Sequence, residues 1–215
     1  MVDRTQERNR MVREQLAQRG IADRAVLAAF SAIPRELFVP RTLASRAYED
    51  CALPIACGQT ISQPFVVAYM FEALALTGRE RVLEVGTGSG YSAAILSHVA
   101  RTVFSVERFA RLAASAERRL HRLGIVNVHV SRADGTLGLA SEAPFDAIVV
   151  AAGAREVPQP LVDQLIAGGR LVMPVGGDGE FQSLMRITRS ESGGVSEEDL
   201  GQCRFVPLVA GTARR

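Results

Sequence analysis

The sequence predicts an α/β fold: a doubly wound, mostly parallel seven-stranded sheet that carries an N-terminal helical extension. Three observations lead there. From residue 81 onward, short apolar runs alternate with stretches of helical periodicity, as strands joined by crossover helices do. The run Phe145–Ala151 is apolar throughout, as a strand covered on both faces requires. A glycine-rich segment, Gly86-Thr87-Gly88-Ser89-Gly90, falls between the first strand and the first helix of the alternation, where open parallel sheets bind their ligands.

The elements follow in order. Residues 3 to 30 carry Met11, Val12, Leu16, Val26, Leu27 and Phe30 at helical spacing; Gly20 interrupts them, and Asp23 is placed to cap the second helix. Residues 41 to 64, with Pro54, Gly58 and Pro64 and little periodicity, read as a long irregular loop, of a length that is commonly functional in a compact domain. A helix covers Pro64–Leu76. Strands are expected at Arg81–Val85, Thr102–Val106, Asn127–Ser131, Phe145–Ala151, Arg170–Pro174, Gln182–Thr188 and Cys203–Leu208. Helices are expected at Tyr91–Ala100, Ala110–Leu123 and Pro160–Ile166, the last closed by Gly168 and Gly169. The polar stretch Ser190–Glu198 is expected to be a mobile turn. There is no internal repeat and no break in composition. A single domain is therefore expected over residues 1–215, with helices and a loop in 1–76 and the sheet in 77–215.

Composition narrows the function classes. Hydrophobic residues make up 47% and charged residues 22%, ordinary for a globular chain. The net charge of +2 is too balanced to point to nucleic acid. The charged N-terminus has no apolar signal segment, and no apolar run is long enough to span a membrane. Cys51, Cys57 and Cys203 are odd in number and lack metal-site spacing, so neither disulfides nor a metal is expected. A cytoplasmic protein with reduced thiols fits these features.

The chemistry concentrates at strand ends. Glycines at 86, 88 and 90 let the backbone turn tightly and meet a ligand without a Cβ in the way. Three acids accompany them: Glu84 two residues before Gly86, Glu107 at the end of the second strand, and Asp134 after the third, before Gly135. A carboxylate at Glu107 can accept from both hydroxyls of a ribose. Asp134 is placed to accept from an adenine amino group. Glu84 can orient the glycine turn or hold an ammonium group. The turn carries no Lys or Arg and no GxxxxGK[ST] pattern, so it suits a cofactor without phosphates.

This order of motifs resembles the class I methyltransferases, with Glu84–Gly90 like their first motif and Glu107 like their second acidic position. A narrower resemblance runs from about residue 10 to 209, to protein-L-isoaspartate O-methyltransferase. It rests on Tyr48-Glu49-Asp50, Ala52-Leu53-Pro54-Ile55, Gly58-Gln59-Thr60-Ile61-Ser62-Gln63-Pro64, Ser105-Val106-Glu107-Arg108, Pro144–Ile148, Gly169–Gly176 and Arg204-Phe205-Val206-Pro207-Leu208. The resemblance implies a Rossmann-like class I sheet whose last two strands are exchanged, S-adenosyl-L-methionine as cofactor and S-adenosyl-L-homocysteine as product. It implies methylation of the free α-carboxylate of L-isoaspartyl residues in damaged proteins and peptides. Ser62 would be the active-site serine. Gln59, Thr60, Thr87, Ser89, Arg108 and Gly135 would join the cofactor site, and Thr60, Ile61, Val206, Pro207 and Leu208 the peptide site. The family leans monomeric.

The sequence departs from the family at Ala133, where glycine is commoner, at Ala56-Cys57 before Gly58, and at Val209, where threonine can stand. Ser62 also fits a plain helix cap, since it precedes Pro64 and a helix. Val206–Leu208 also fits an edge strand guarded by proline. His98, His121 and His129 lie far from the Ser62 loop in sequence, so no Ser–His pair is indicated. Three rivals remain: an esterifying enzyme for one dedicated peptide, a nonenzymatic cofactor-binding module, and a dehydrogenase. The last is weakest, because too few residues precede the first strand to make a catalytic domain.

Overall fold

The computed structural model describes residues 3–177 and 181–213. Helix α1 (Thr5–Met11) continues in helical turns of other pitch to Arg19 and stops at Gly20, whose φ of +104° suits glycine. Met11, Val12 and Leu16 face inward. The Asp23 carboxylate accepts from the backbone N–H groups of Ala25 and Val26, capping α2 (Arg24–Ala32) as its sequence position predicts. The loop after it holds short helical turns and one two-residue antiparallel ladder. That ladder pairs β1 (Leu53–Pro54) with β2 (Thr60–Ile61), Leu53 opposite Ile61. Helix α3 (Pro64–Leu74) starts on Pro64 and ends at Ala75, whose backbone is left-handed.

The main sheet comprises β3 (Arg81–Val85), β4 (Thr102–Glu107), β5 (Val128–Arg132), β6 (Phe145–Val150), β7 (Leu165–Val175), β8 (Gln182–Arg189) and β9 (Val195–Cys203), in the order β5-β4-β3-β6-β7-β8-β9. The first five positions are parallel, and β8 and β9 are antiparallel to their neighbours. The last strand lies outermost instead of entering between its two predecessors, which is the exchange the resemblance implies. Helices α4 (Tyr91–Leu96), α5 (Ala110–Arg122) and α6 (Gln159–Asp163) make the crossovers.

Alternate residues of each strand serve opposite faces. Val82, Val103, Ala147, Val149 and Val172 pack with α3, α4 and the N-terminal helices. Leu83, Val85, Phe104, Val106, Ile148, Val150 and Leu171 form the second core with Leu161 of α6. Two apolar faces explain the unbroken apolar runs.

Three sequence expectations need correction. The helix expected at Pro160–Ile166 is shorter, because Leu165 already pairs with Phe145 in β7. Gly168 and Gly169 sit in an irregularity of that ladder, between the Phe145 and Ala147 pairings, and do not end the helix. The stretch Ser190–Glu198 is only partly a turn. Strand β9 begins at Val195, and its residues 195–199 are exposed on the sheet edge, so no buried face marks the strand in sequence. The strand expected at Cys203–Leu208 begins where β9 ends. Residues 204–208 instead cross the carboxyl ends of the strands, held by Gly153 N–H to Val206 O (2.8 Å) and Leu208 N–H to Gly153 O (2.7 Å).

Candidate active site

Four segments meet over the carboxyl end of β3: the turn after it, the end of β4, the Gln59–Ser62 loop and the crossing segment Val206–Val209. They enclose an open cavity of about 770 Å³, a figure that includes its mouth open to solvent.

The glycine turn is built mainly from backbone. The N–H groups of Gly86 and Thr87 both donate to Val106 O, at 2.8 and 3.2 Å, which fastens the turn to β4. Gly88 N–H donates to Glu107 Oε2 and Phe109 N–H to Glu107 Oε1, each at 2.9 Å. The carboxylate of Glu107 is thereby aimed at the cavity by two donors. It is the only acid among the described residues that line it. At Gly135, on the cavity floor, a Cβ would lie 2.4 Å from Val85 Cγ1. Only glycine fits that close approach.

Of the residues singled out in sequence, Gln59, Thr60, Ile61, Ser62, Gly86, Thr87, Gly88, Ser89, Glu107, Arg108, Gly135, Val206, Pro207 and Leu208 all line this cavity. Three do not. Gly90, with φ +87°, opens α4 and packs against α5, where an added Cβ would sit 3.1 Å from Ala116 Cβ.

Glu84 is fully buried behind the turn. Its Oε2 accepts from Ser105 Oγ, which lies 2.6 Å from Thr87 Oγ1. Its Oε1 has no hydrogen-bond partner among the described residues. Burial, reinforced by the nearby Glu107 charge, pushes its carboxyl up to about 8, so it is mainly protonated at neutral pH. Ser62, which lines the main cavity, and Glu84 both border a smaller adjoining pocket of about 240 Å³.

Asp134 faces the C-terminal segment. Its Oδ1 accepts from the N–H and hydroxyl of Thr136, and its Oδ2 from Gly211 N–H at 2.6 Å. Burial works against its charge, but these donors outweigh it and hold the pKa below the ordinary value. Arg108 donates to Gly211 O at 3.2 Å, so both residues grip the same segment.

Ser62 is not a helix cap. The cap position of α3 is Gln63, and no side chain satisfies it. Ile61 beside it is buried and Thr60 exposed. Sequence inspection missed Tyr91, Ser92, Phe109, Ala151 and Ala152 in the lining. Tyr91 follows Gly90 directly and Phe109 follows Arg108, so both are recoverable from their motifs. Arg35 was missed as well: its Nη1 donates to Ser62 O at 3.0 Å, and nothing local in sequence signals it. The three histidines are all exposed and none lines the cavity.

The lining suits S-adenosylmethionine. It offers one carboxylate held by backbone donors, and small residues where a Cβ would intrude. It has no phosphate-binding lysine.

Strand order and the place of the cavity define the class: this is an S-adenosylmethionine-dependent methyltransferase of class I. The model of the protein-L-isoaspartate(D-aspartate) O-methyltransferase family matches residues 6–213, and the chain belongs to that family. The protein-L-isoaspartate O-methyltransferase 2 of Pelobacter propionicus is 55% identical over 96% of this chain and 92% of its own; that of Marinobacter nauticus is 55% identical over 94% and 92%. A solved protein-L-isoaspartate O-methyltransferase superposes with a TM-score of 0.84 at 32% identity, covering 94% of this chain and 66% of that one. A Plasmodium falciparum structure described as an isoaspartate methyltransferase with S-adenosyl-L-homocysteine gives a TM-score of 0.81 at 27% identity, over 94% and 98%. No described helix is long and apolar enough to cross a membrane.

Proposed function

We propose that this chain methylates the free α-carboxylate of L-isoaspartyl residues in damaged proteins and peptides, and that Ser62 holds that carboxylate opposite the glycine turn. One observation carries the proposal: Ser62, distant in sequence from the turn, lines the same cavity. An isoaspartyl residue routes its main chain through the β-carbon and leaves its α-carboxylate free. That group is already ionised at neutral pH, so the transfer needs no general base.

When bound, S-adenosylmethionine supplies an electrophilic methyl group on a sulfonium. The chain's residues do the rest by alignment, which is worth roughly 7–11 kcal/mol when two reactants are well oriented. Glu107 accepts from the ribose hydroxyls. Glu84 steadies the turn through Ser105 and Thr87. Asp134 and Arg108 brace the C-terminal segment through Gly211. Gln59, Thr60, Thr87, Ser89 and Gly135 complete the cofactor's walls. The Ser62 hydroxyl donates to one carboxylate oxygen and turns the other toward the methyl group. Ile61, Val206, Pro207 and Leu208 receive the peptide and exclude water. A main-chain amide nitrogen then attacks the ester carbonyl without enzyme help, methanol leaves and a succinimide closes; its hydrolysis returns part of it as normal aspartate.

The chain acts as one domain and a monomer, in the cytoplasm, with no nucleic-acid partner. The test is methyl incorporation into an unrelated isoaspartyl peptide and its aspartyl twin. Labelling of the isoaspartyl peptide alone is expected. Indifference to both peptides would favour a dedicated substrate.

A further inference from the structure

Arg35 lies outside the cavity lining, yet it is the largest fully buried side chain among the described residues. No ion pair among the described residues includes it. Its guanidinium donates instead to three carbonyls: Nε to Ala47 O (2.7 Å), Nη1 to Ser62 O (3.0 Å) and Nη2 to Cys51 O (3.3 Å). It also lies 5.1 Å from the ring centre of Tyr91, which lines the cavity just after the glycine turn. A buried charge without a carboxylate is costly, and well-packed apolar side chains commonly replace such groups without loss of stability. Core packing alone therefore does not call for an arginine here.

The three carbonyls belong to two segments, 47–51 and 62. The planar fork joins them through donors at fixed, wide spacing, a geometry that a compact ammonium does not reproduce. Gln63 Nε2 reinforces the tie by donating to Asp50 O at 3.2 Å.

We propose that Arg35 is a positioning residue for methyl transfer: by fixing the Ser62 carbonyl against residues 47–51, it sets the direction in which the Ser62 hydroxyl meets the substrate carboxylate. This rests on the role given above to Ser62. Arg35 does not touch the substrate; it acts through the serine.

A double-mutant cycle tests it, using Arg35→Lys, Ser62→Ala and the pair. Turnover is measured on an isoaspartyl peptide and expressed per S-adenosylmethionine-binding site titrated by calorimetry, so that unfolded protein does not count. Arg35→Lys is expected to lower kcat/KM per site by about 10- to 100-fold, the scale of a 1 Å misplacement. Cofactor affinity should stay within about twofold. In the Ser62→Ala background the same substitution should cost less than about threefold, because the group it positions is gone. An equal cost in both backgrounds overturns the role of Arg35 and leaves that of Ser62 standing. Near-normal turnover of Ser62→Ala alone overturns the role of Ser62 itself. If the lysine variant does not fold, Arg35→Gln, which keeps a donor and removes the buried charge, carries the same comparison.

Discussion

The two lips of the cavity are held in opposite ways. The glycine turn is rooted in the sheet: Gly86 and Thr87 hang from Val106 O, Gly88 from Glu107, and Gly90 N–H from Thr87 O at 2.8 Å. The substrate loop is held by a two-residue ladder, by local turns such as Ile55 N–H to Gln59 O at 2.8 Å, and by the side chains of Arg35 and Gln63. Backbone rooted in a parallel sheet gives a stable cradle for a constant cofactor. Under the proposed function, a loop tied by distant side chains would set one hydroxyl and leave its surroundings to the peptide.

The contrast makes distinct predictions for the two lips. On the cofactor lip, Glu107→Ala removes charge-assisted acceptors for the ribose and strands two backbone donors. Its S-adenosylmethionine affinity should fall about 100-fold or more; an unchanged affinity by calorimetry would contradict the ribose assignment. On the substrate lip, Ser62→Ala should lower kcat by between about 10- and 100-fold with cofactor affinity kept, since one oriented donor is lost. Equal damage to cofactor binding would erase the distinction between the lips.

Beneath the turn, Gly90→Ala adds a Cβ at φ +87° against Ala116. It should cost roughly 1–3 kcal/mol of stability in a denaturant titration. A neutral result would show the turn to be looser than its hydrogen bonds suggest.

The last effect is spread over pH and concerns Glu84. Folding raises its carboxyl from 4.5 to about 8. The stability it contributes is fully present below pH 4.5 and is lost as pH rises through 8. Glu84→Gln should flatten stability against pH across that window, by at most about 1.4 kcal/mol per pH unit. An unchanged slope in urea melts would show that Glu84 ionises normally.

The same contrast explains what the sequence made legible. The turn and Glu107 are local patterns at strand ends, so their spacing suffices to find them. Spacing also put Glu84 at a strand end. The alternation of β3 turns it away from Leu83 and Val85, under the turn and not into the cavity. Asp134 was found as an acid, but its partner Gly211, 77 residues away, was not. Arg35 meets carbonyls 12, 16 and 27 residues ahead and follows no periodic pattern. Ser62 was visible only through resemblance to a family. In the fold, β9 escaped notice because an exposed edge strand has no apolar face, and Gly168-Gly169 looks like a helix stop although it lies within β7.

The central claim is that one cavity brings a methyl donor on the glycine turn to a carboxylate held by the loop facing it. A crystal structure with S-adenosyl-L-homocysteine and an isoaspartyl peptide tests it most directly. The account predicts the cofactor's sulfur over the turn and the α-carboxylate within about 3 Å of the Ser62 hydroxyl. A peptide carboxylate bound elsewhere, or a Ser62 hydroxyl directed away from it, would contradict the account.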